Sequence, residues 1–411
     1  MEFDYGVDQR LLSSNNGEVK QWPTTGSKVG LFDADTIPYL VGYTSSELEF
    51  LKFKNSKDPF KTDIWNDKKR HASSIINSTL EGTGCDAALF FLTNSEKNFR
   101  LNIGTLKKYK GQRIKEKPPF FHEIKHWIRD YHGARMSKMC EADDEISIEA
   151  WRRHKLFAEE NGVDSLFTPA HRVANDFIIL SQDKDLNIIP GLHNTVGKSG
   201  LDDVWVDRKG WLEPKYKESE INDYEYWPLF QGEEVDPRGL ISFKVKNHDI
   251  FPLPYHELKE ECNGWEKKLI WCKLNSKMHI QEQDKFLRGV HKGLGKFKRL
   301  SSGKKTTQTV SKLRGAGLMF FYAQLIMGDQ VDNYGGIPGC GPKKAFDILD
   351  GACDEDELCQ RVYKAYLGYY KTEEKARKYM TEMGQLAWML TRRYELWKIP
   401  KQGESSFPSL G

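Results

Sequence analysis

No stretch of this 411-residue chain strings together the roughly 20 apolar residues that a bilayer-spanning helix needs. Its first residues, Met1-Glu2-Phe3-Asp4, lack the basic start and apolar run of a secretory leader, so a cytoplasmic location is expected. Cysteine is scarce and unpatterned: seven residues, an odd number, with no Cys-x-x-Cys spacing, argue against a disulfide framework and for a reducing compartment. Cys262 and Cys272 lie near His256 and His279, but their spacing matches no common zinc-ligand pattern. A strong net charge is also missing, since 62 Lys and Arg stand against 59 Asp and Glu for a net +3. What is present is core material: 38% hydrophobic and 12% aromatic residues, in a length that allows two or three domains.

The small net charge hides an uneven distribution. Lys285 to Arg314 holds ten Lys and Arg and no acid, which leaves −7 for the rest of the chain. A second basic stretch, Lys97 to Lys117, holds eight Lys and Arg against Glu116 alone. Basic arms beside an acidic remainder suit a polyanion-binding protein whose centre would otherwise repel phosphates.

Residues 1–27 are polar and read as a poorly ordered lead. Three short apolar runs, Val29–Phe32, Ala87–Leu92 and Phe177–Leu180, read as buried strands, with helical patterns at about 66–81, 119–131 and 143–160 between them. Alternating strands and helices predict an α/β domain with a largely parallel sheet over 28–206. From 207 to 312 the pattern dissolves into Pro, aromatic and charged residues, which reads as an insertion with a basic, partly mobile end. The remainder, 313–411, reads as helical: an apolar helix at Leu313–Met327, a glycine-rich turn at Gly335–Gly341, and helix to about 398, where Trp388, Tyr394 and Trp397 fall on one buried face.

Four acidic boxes punctuate this layout: Asp33/Asp35, Glu141-Ala142-Asp143-Asp144, Asp183/Asp185 and Asp329/Asp332. Any one of them passes as a helix cap or dipole partner. Two follow strand ends, and in a parallel sheet the polar groups at the carboxyl ends gather along one rim. Nine carboxylates there would raise one another's pKa values unless a cation neutralised them. A donor set of oxygens only, with no His or Cys, selects a hard ion, Mg²⁺ or Mn²⁺. Two such ions clamp the attacking and leaving oxygens of phosphodiester hydrolysis. The turn Asp332–Ala345 between two helices contains Gly336, Gly339 and Gly341 followed by Lys343 and Lys344. Such a hairpin lets backbone N–H groups approach a nucleic-acid phosphate without reading a base.

Read together, the boxes resemble the 5′ nuclease family, which includes flap endonucleases, the 5′-nuclease domain of bacterial DNA polymerase I and bacteriophage 5′–3′ exonucleases, the last being the most similar branch. The resemblance covers about 28–205 and 313–400. It implies a PIN-like α/β nuclease domain, a helix-two-turn-helix in the C-terminal region, and metal ligation by Asp33, Asp35, Glu141, Asp143, Asp144, Asp183, Asp185, Asp329 and Asp332. It implies that Lys110 and Arg113, in Tyr109-Lys110-Gly111-Gln112-Arg113, contact the scissile phosphate, with Asp33 and Asp183 also catalytic. In relatives the hairpin carbonyls hold a K⁺ ion. The implied partner is DNA at 5′ ends, flaps and duplex/single-strand junctions, with RNA–DNA hybrid as a further substrate, and the implied work is phage replication, primer removal or DNA degradation.

Three features depart from that pattern. Asn94 stands where an acid usually follows the second strand, Arg113 to Glu141 is short for a closed arch, and Asp185 to Asp329 is far longer than in relatives. Two other readings use parts of the sequence. A haloacid-dehalogenase-type phosphatase would take Asp33 as nucleophile and Asp35 as acid/base, leaving the other boxes unexplained. A non-catalytic nucleic-acid-binding protein would use the hairpin and basic runs alone.

Overall fold

In the computed structural model of the chain, the described residues are 19–94, 98–111, 116–162, 176–197, 203–228, 233–235, 241–245, 248–250, 278–279 and 296–409. Two compact units emerge, one formed by residues 1–215 with 310–411 and the other by 216–309.

The larger unit is built on a six-stranded sheet in the order β3-β2-β1-β4-β5-β6. Its strands are β1 (Val29–Asp33), β2 (Ala87–Leu92), β3 (Arg135–Met136), β4 (Phe177–Leu180), β5 (Gly191–Asn194) and β6 (Val204–Val206). The first five run parallel, and β6 is antiparallel to β5. Every residue of β1, β2 and β4 is buried, as expected where helices cover both faces of a parallel sheet. The helices α1 (Ile37–Val41), α2 (Glu47–Lys54), α3 (Asp63–Gly82), α4 (Phe121–Tyr131) and α5 (Ala142–Asn161) belong to this layer. Two separate apolar clusters form, one containing Ile75, Ile76 and Leu80 of α3 with Phe32 and Phe90, the other Ile146 and Ala150 of α5 with Leu31 and Leu89.

The third cluster surrounds α6 (Gly317–Met327), whose sequence GLMFFYAQLIM is buried on nearly every side. A helix apolar all round belongs at the centre of a packed layer. Around it stand α7 (Pro342–Leu349), α8 (Glu355–Tyr370) and α9 (Glu373–Ala387), α8 and α9 being capped by the side chains of Asp354 and Thr372.

Two three-stranded sheets follow in the chain, one within the smaller unit and one whose long strands run partly in each unit. One pairs β7 (Trp211–Pro228) and β11 (Met278–His279) with β12 (Lys296–Ala316); the other comprises β8 (Glu233–Val235), β9 (Ile241–Val245) and β10 (His248–Ile250). The basic residues from Lys296 onward are thus strand, and the apolar helix begins at Gly317 rather than at Leu313. Periodicity hid β7 because none of its described side chains from Trp211 to Glu218 is buried, leaving no hydrophobic alternation to read.

Two further expectations change. Within the polar lead, Trp22 is buried and donates its indole N–H to Asn77 at 2.9 Å, while Ala88 N–H donates to the Pro23 carbonyl at 2.8 Å. These contacts tie the segment to α3 and β2. At the far end, α9 stops at Ala387, and Trp388 and Trp397 are buried from irregular backbone while Tyr394 is 75% exposed at a φ of 64°. The near-helical spacing of these aromatics was coincidence; aromatic–aromatic packing on Phe321 holds both tryptophans. Of the residues weighed against a zinc pattern, His256, Cys262 and Cys272 lie outside the described residues, and the described cysteines are all free.

One buried ion pair joins the sheet layer to the helical layer. Arg100, 1% exposed, forks onto Asp144 at 2.6 and 2.9 Å and donates to the carbonyls of Leu386 at 3.0 Å and Trp388 at 2.6 Å. Removing one partner of such a pair strands the other charge in the interior. Arg100→Leu is therefore expected to lower unfolding free energy by about 3–5 kcal/mol in urea titrations. A change below about 1 kcal/mol, the range of surface pairs, would show that water reaches Asp144.

Candidate active site

Because β1, β2 and β4 are parallel and in register, with Phe32 opposite both Phe90 and Leu180, their carboxyl ends open on the same rim. Asp33 ends β1, Thr93 follows β2, and Ser181 and Asp183 follow β4. Ser181 links two of these ends, donating its hydroxyl to Asp33 Oδ2 at 2.7 Å and accepting the Asp183 N–H at 2.9 Å. Asp33 and Asp183 each also accept the amide two residues ahead, from Asp35 at 3.1 Å and Asp185 at 2.9 Å. These local turns aim the first carboxylate of each Asp-x-Asp box at the rim.

The start of α5 adds Glu141, Asp143 and Asp144. Glu141 and Asp144 form a reciprocal capping box, the Glu141 N–H donating to Asp144 Oδ2 at 3.0 Å. Thr93 Oγ1 accepts the Ala142 N–H at 2.8 Å and so fastens the helix start to the end of β2. Asp143, between the two capping residues, makes no hydrogen bond or ion pair among the described residues.

The turn after α6 supplies the rest. Gly328 and Asp329 form β13, which pairs antiparallel with β14 (Tyr334–Gly335). Gly328 has a φ of 70°, and a Cβ on Gly336 would lie 2.2 Å from the Ile326 carbonyl oxygen, so this return of the chain demands glycine at both places. Asp329 is 5% exposed, its Oδ1 accepting the amides of Val331 at 2.6 Å and Asp332 at 3.3 Å. The Tyr109 hydroxyl lies 2.8 Å from both Glu141 Oε2 and Asp332 Oδ2. Two ammonium groups stand among these acids: Lys110, against Glu141 and 3.8 Å from Asp332, and Lys184, against Asp329 and 3.8 Å from Asp185.

The convergence shifts the titration of these carboxyls. Burial first, then the neighbouring charges of Asp35 and Asp183, raise Asp33 to about 7. Asp143 is held well above the carboxylate range by burial and by Asp183, Asp33 and Glu141. Removal from water followed by mutual repulsion likewise raises Asp183 and Asp185. Glu141 moves the other way: burial opposes ionisation, but Lys110 and Arg100 hold it below its ordinary value.

Asp33, Glu141, Asp143, Asp183, Asp185, Asp329, Asp332 and Lys110 therefore share one neighbourhood, although most of the chain's length separates the first of them from the last. Asp35 and Asp144 face other partners. Asp35 accepts the Thr93 N–H at 3.0 Å and pairs with Lys125 of α4 at 3.2 Å. That engagement leaves it poorly placed as the acid/base of a phosphatase. Asp144 has all four acceptor positions taken, by Arg100 twice, the Glu141 amide and the Leu390 amide at 3.0 Å, so it serves as a strut rather than a ligand. Arg100, counted among the basic run, is likewise buried scaffolding. Arg113 lies outside the described residues. In the hairpin, Gly339 and Gly341 are exposed with nothing within 4 Å of an added Cβ, Lys344 is exposed, and Lys343 pairs with Asp347 at 2.8 Å.

Residues that pattern reading did not single out are Ser181, Lys125, Lys184, Gln324 and Tyr334. Only Lys184 left a signal, as the middle of Asp-Lys-Asp. Among the described residues no three His, Cys, Asp or Glu side chains already form a cage for a metal ion. The donor chemistry nevertheless fits a hard cation: every acid offers oxygen, and among the described residues Asp143 has no hydrogen-bond or ion-pair partner and the buried Tyr334 hydroxyl and Gln324 Oε1 beside Asp185 lack hydrogen-bond partners.

No protein-family profile matches the chain, and no curated protein matches it in sequence. Among solved structures it is similar to three from bacteriophage T5. One is a T5 protein co-crystallised with metal ions, at TM-score 0.34 and 11% identity, covering 88% of this chain and 91% of that chain. Another is the T5 5′-exonuclease with zinc bound, at 0.34 and 13%, covering 88% and 90%. The third is the T5 flap endonuclease in a complex with DNA and metal ions, at 0.33 and 11%, covering 88% and 99%.

The raised carboxyls make stability depend on pH in a defined direction. A neutral Asp33 favours the folded state fully below the ordinary aspartate value of about 4, and that advantage is lost as pH rises through about 7. In chelator, wild-type protein should lose stability relative to Asp33→Asn between pH 5 and pH 8 in paired denaturant titrations. A constant difference across that window would mean that Asp33 ionises as an ordinary carboxylate.

Proposed function

We propose that the chain is a divalent-metal-dependent nuclease that hydrolyses DNA phosphodiesters from 5′ ends, leaving 5′-phosphates, with flap endonuclease activity at duplex/single-strand junctions. The observation that carries this reading is the convergence of four acidic boxes, distant in sequence, into one cluster in which burial and neighbouring charges raise the carboxyls of Asp33, Asp143, Asp183 and Asp185. Folding such a cluster costs free energy that no structural role repays, whereas a divalent cation turns the repulsion into binding. Asp33, Asp143, Asp183, Asp185 and Asp329 are the residues that would hold two ions directly, with Glu141 and Asp332 orienting their waters; Mg²⁺ or Mn²⁺ suits this donor set. Once bound, the metal supplies Lewis-acid polarisation of the phosphate and a water of lowered pKa.

The protein's own groups provide the remainder. Lys110 carries its ammonium to the acid cluster from a backbone at φ 53°, and Arg113 follows three residues later; together they neutralise charge that builds on the phosphate. Ser181 and the Asp35 amide hold Asp33, and Thr93 holds the start of α5, so that the carboxylates keep their positions while substrate enters. The exposed Gly339 and Gly341, with Lys343 and Lys344 in the first turn of α7, offer backbone amides and charge to a duplex phosphate, and K⁺ is the ion proposed for the hairpin carbonyls. The basic run Lys285–Arg314 would follow the phosphate backbone of the same DNA. RNA–DNA hybrids at primer ends are a substrate class consistent with backbone-only contacts.

Cleavage of 5′-labelled duplex and flap DNA with Mg²⁺ or Mn²⁺, set beside hydrolysis of a phosphomonoester, tests the reading directly. Asp143→Asn or Asp183→Asn should cut the cleavage rate by more than the 10- to 100-fold typical of outer-shell partners of a metal while DNA binding in chelator is preserved. Near-normal rates at limiting metal would remove that residue from the site. Deleting 285–305 should flatten the slope of log affinity against log salt, which runs near −0.9 for each phosphate contact on duplex DNA. An unchanged slope would leave that segment without a role in DNA binding.

A further inference from the structure

Asp329 presents two carboxylate oxygens, and the fold has used both. Oδ1 accepts two backbone amides of its own turn, Val331 at 2.6 Å and Asp332 at 3.3 Å, and cannot give them up while the turn stays closed. Oδ2 is held by the ammonium of Lys184, which also stands 3.8 Å from Asp185 Oδ1, the oxygen that accepts the Gln324 amide. Lys184 differs from the backbone donors in being able to leave. Its side chain is 52% exposed, its ammonium lies 6.0 Å from the centre of the Phe320 ring, and it follows Asp183 on the open edge of the rim. On the same wall the Tyr334 hydroxyl and Gln324 Oε1 are buried without hydrogen-bond partners among the described residues, and a water carried by a hydrated cation would satisfy them.

We propose that Lys184 is an internal counter-ion that trades places with a divalent cation at Asp329 and Asp185. Resting on the metal-dependent reading above, this assigns the lysine a regulatory part in the same site. While the ammonium is docked, it offsets the charge of the two buried acids and keeps the turn at 329–332 against the end of β4. A divalent ion brings twice the charge, and it reaches Asp329 Oδ2 only as the ammonium withdraws toward solvent. The two cations therefore compete, and by linkage each weakens the other's hold on the carboxylates. Withdrawn, the ammonium stands at the mouth of the site, where a DNA phosphate is its natural partner. Metal loading and substrate contact are then coupled through one side chain.

Calorimetric titration of Mn²⁺ into the full-length chain, with Lys184→Met and Lys184→Arg beside the wild type, tests the exchange. Removing the competitor should tighten Mn²⁺ binding by roughly five- to tenfold in Lys184→Met and lower its melting temperature in chelator, while Lys184→Arg keeps the wild-type affinity. In the wild type, acetylation of Lys184 followed by mass spectrometry should speed up when Mn²⁺ is added without DNA. This second measurement stands even if Lys184→Met fails to fold. Unchanged or weaker Mn²⁺ binding by a folded Lys184→Met, or acetylation that Mn²⁺ leaves unchanged or slows, would overturn the exchange while leaving the nuclease reading intact. A wild type that takes up no Mn²⁺ at millimolar concentration would remove the metal reading itself, and the exchange with it.

Discussion

The Arg100–Asp144 pair is the joint on which the rest of the larger unit depends. A fully buried guanidinium is tolerable only when its donors are satisfied, and here Asp144 takes two N–H groups while the carbonyls of Leu386 and Trp388 take two more. The partners come from three places: the loop before Lys110, the first turn of α5, and the end of α9. Asp144 simultaneously caps α5 and accepts the Leu390 amide. One ion pair thus fixes the angle at which α5 meets the sheet and the depth to which the C-terminal segment sits. Glu382 of α9 repeats the device on a smaller scale, accepting the amides of Thr105 at 2.8 Å and Leu106 at 3.2 Å from the same loop.

That rigidity matters because the neighbouring cluster is electrostatically unfavourable. Asp33, Asp143, Asp183 and Asp185 would separate if their backbones were free to move, and desolvation adds to the repulsion. Three strand ends, a capped helix start and a two-stranded turn hold them instead. Lys110 and Lys184 relieve part of the charge without closing the site, since each reaches the cluster from its edge. Buried carboxyls with perturbed pKa values, held in a rigid frame and partly neutralised by neighbouring cations, are an arrangement characteristic of functional sites.

The glycine hairpin and the site share one piece of backbone. Gly328 and Gly336 bring β13 and β14 together, and this places Asp329 and Asp332 against Lys184 and Tyr109 while Gly339 and Gly341 remain open beyond them. A DNA contact at the hairpin, as proposed above, would lie only a few residues along the chain from Asp329 and Asp332.

Local physical chemistry made part of this legible before any fold was known. Val29–Phe32, Ala87–Leu92 and Phe177–Leu180 are apolar on both faces, so only a doubly covered parallel sheet can bury them, and the acids that follow two of them must then meet on one rim. The boxes at 141–144 and 329–332 announced themselves by composition. What spacing could not convey was which carboxylates are used up by the protein itself. Asp35 and Asp143 look alike in sequence, yet one faces Lys125 and the other no partner among the described residues, and Asp144 is consumed by an arginine 44 positions earlier. Trp388, Tyr394 and Trp397 kept a helical spacing on a segment that is not helical. In each case the deciding interaction is long-range, made between residues that approach only after the sheet and helical layers pack, and a chain read one neighbour at a time carries the type of each group but not its partner.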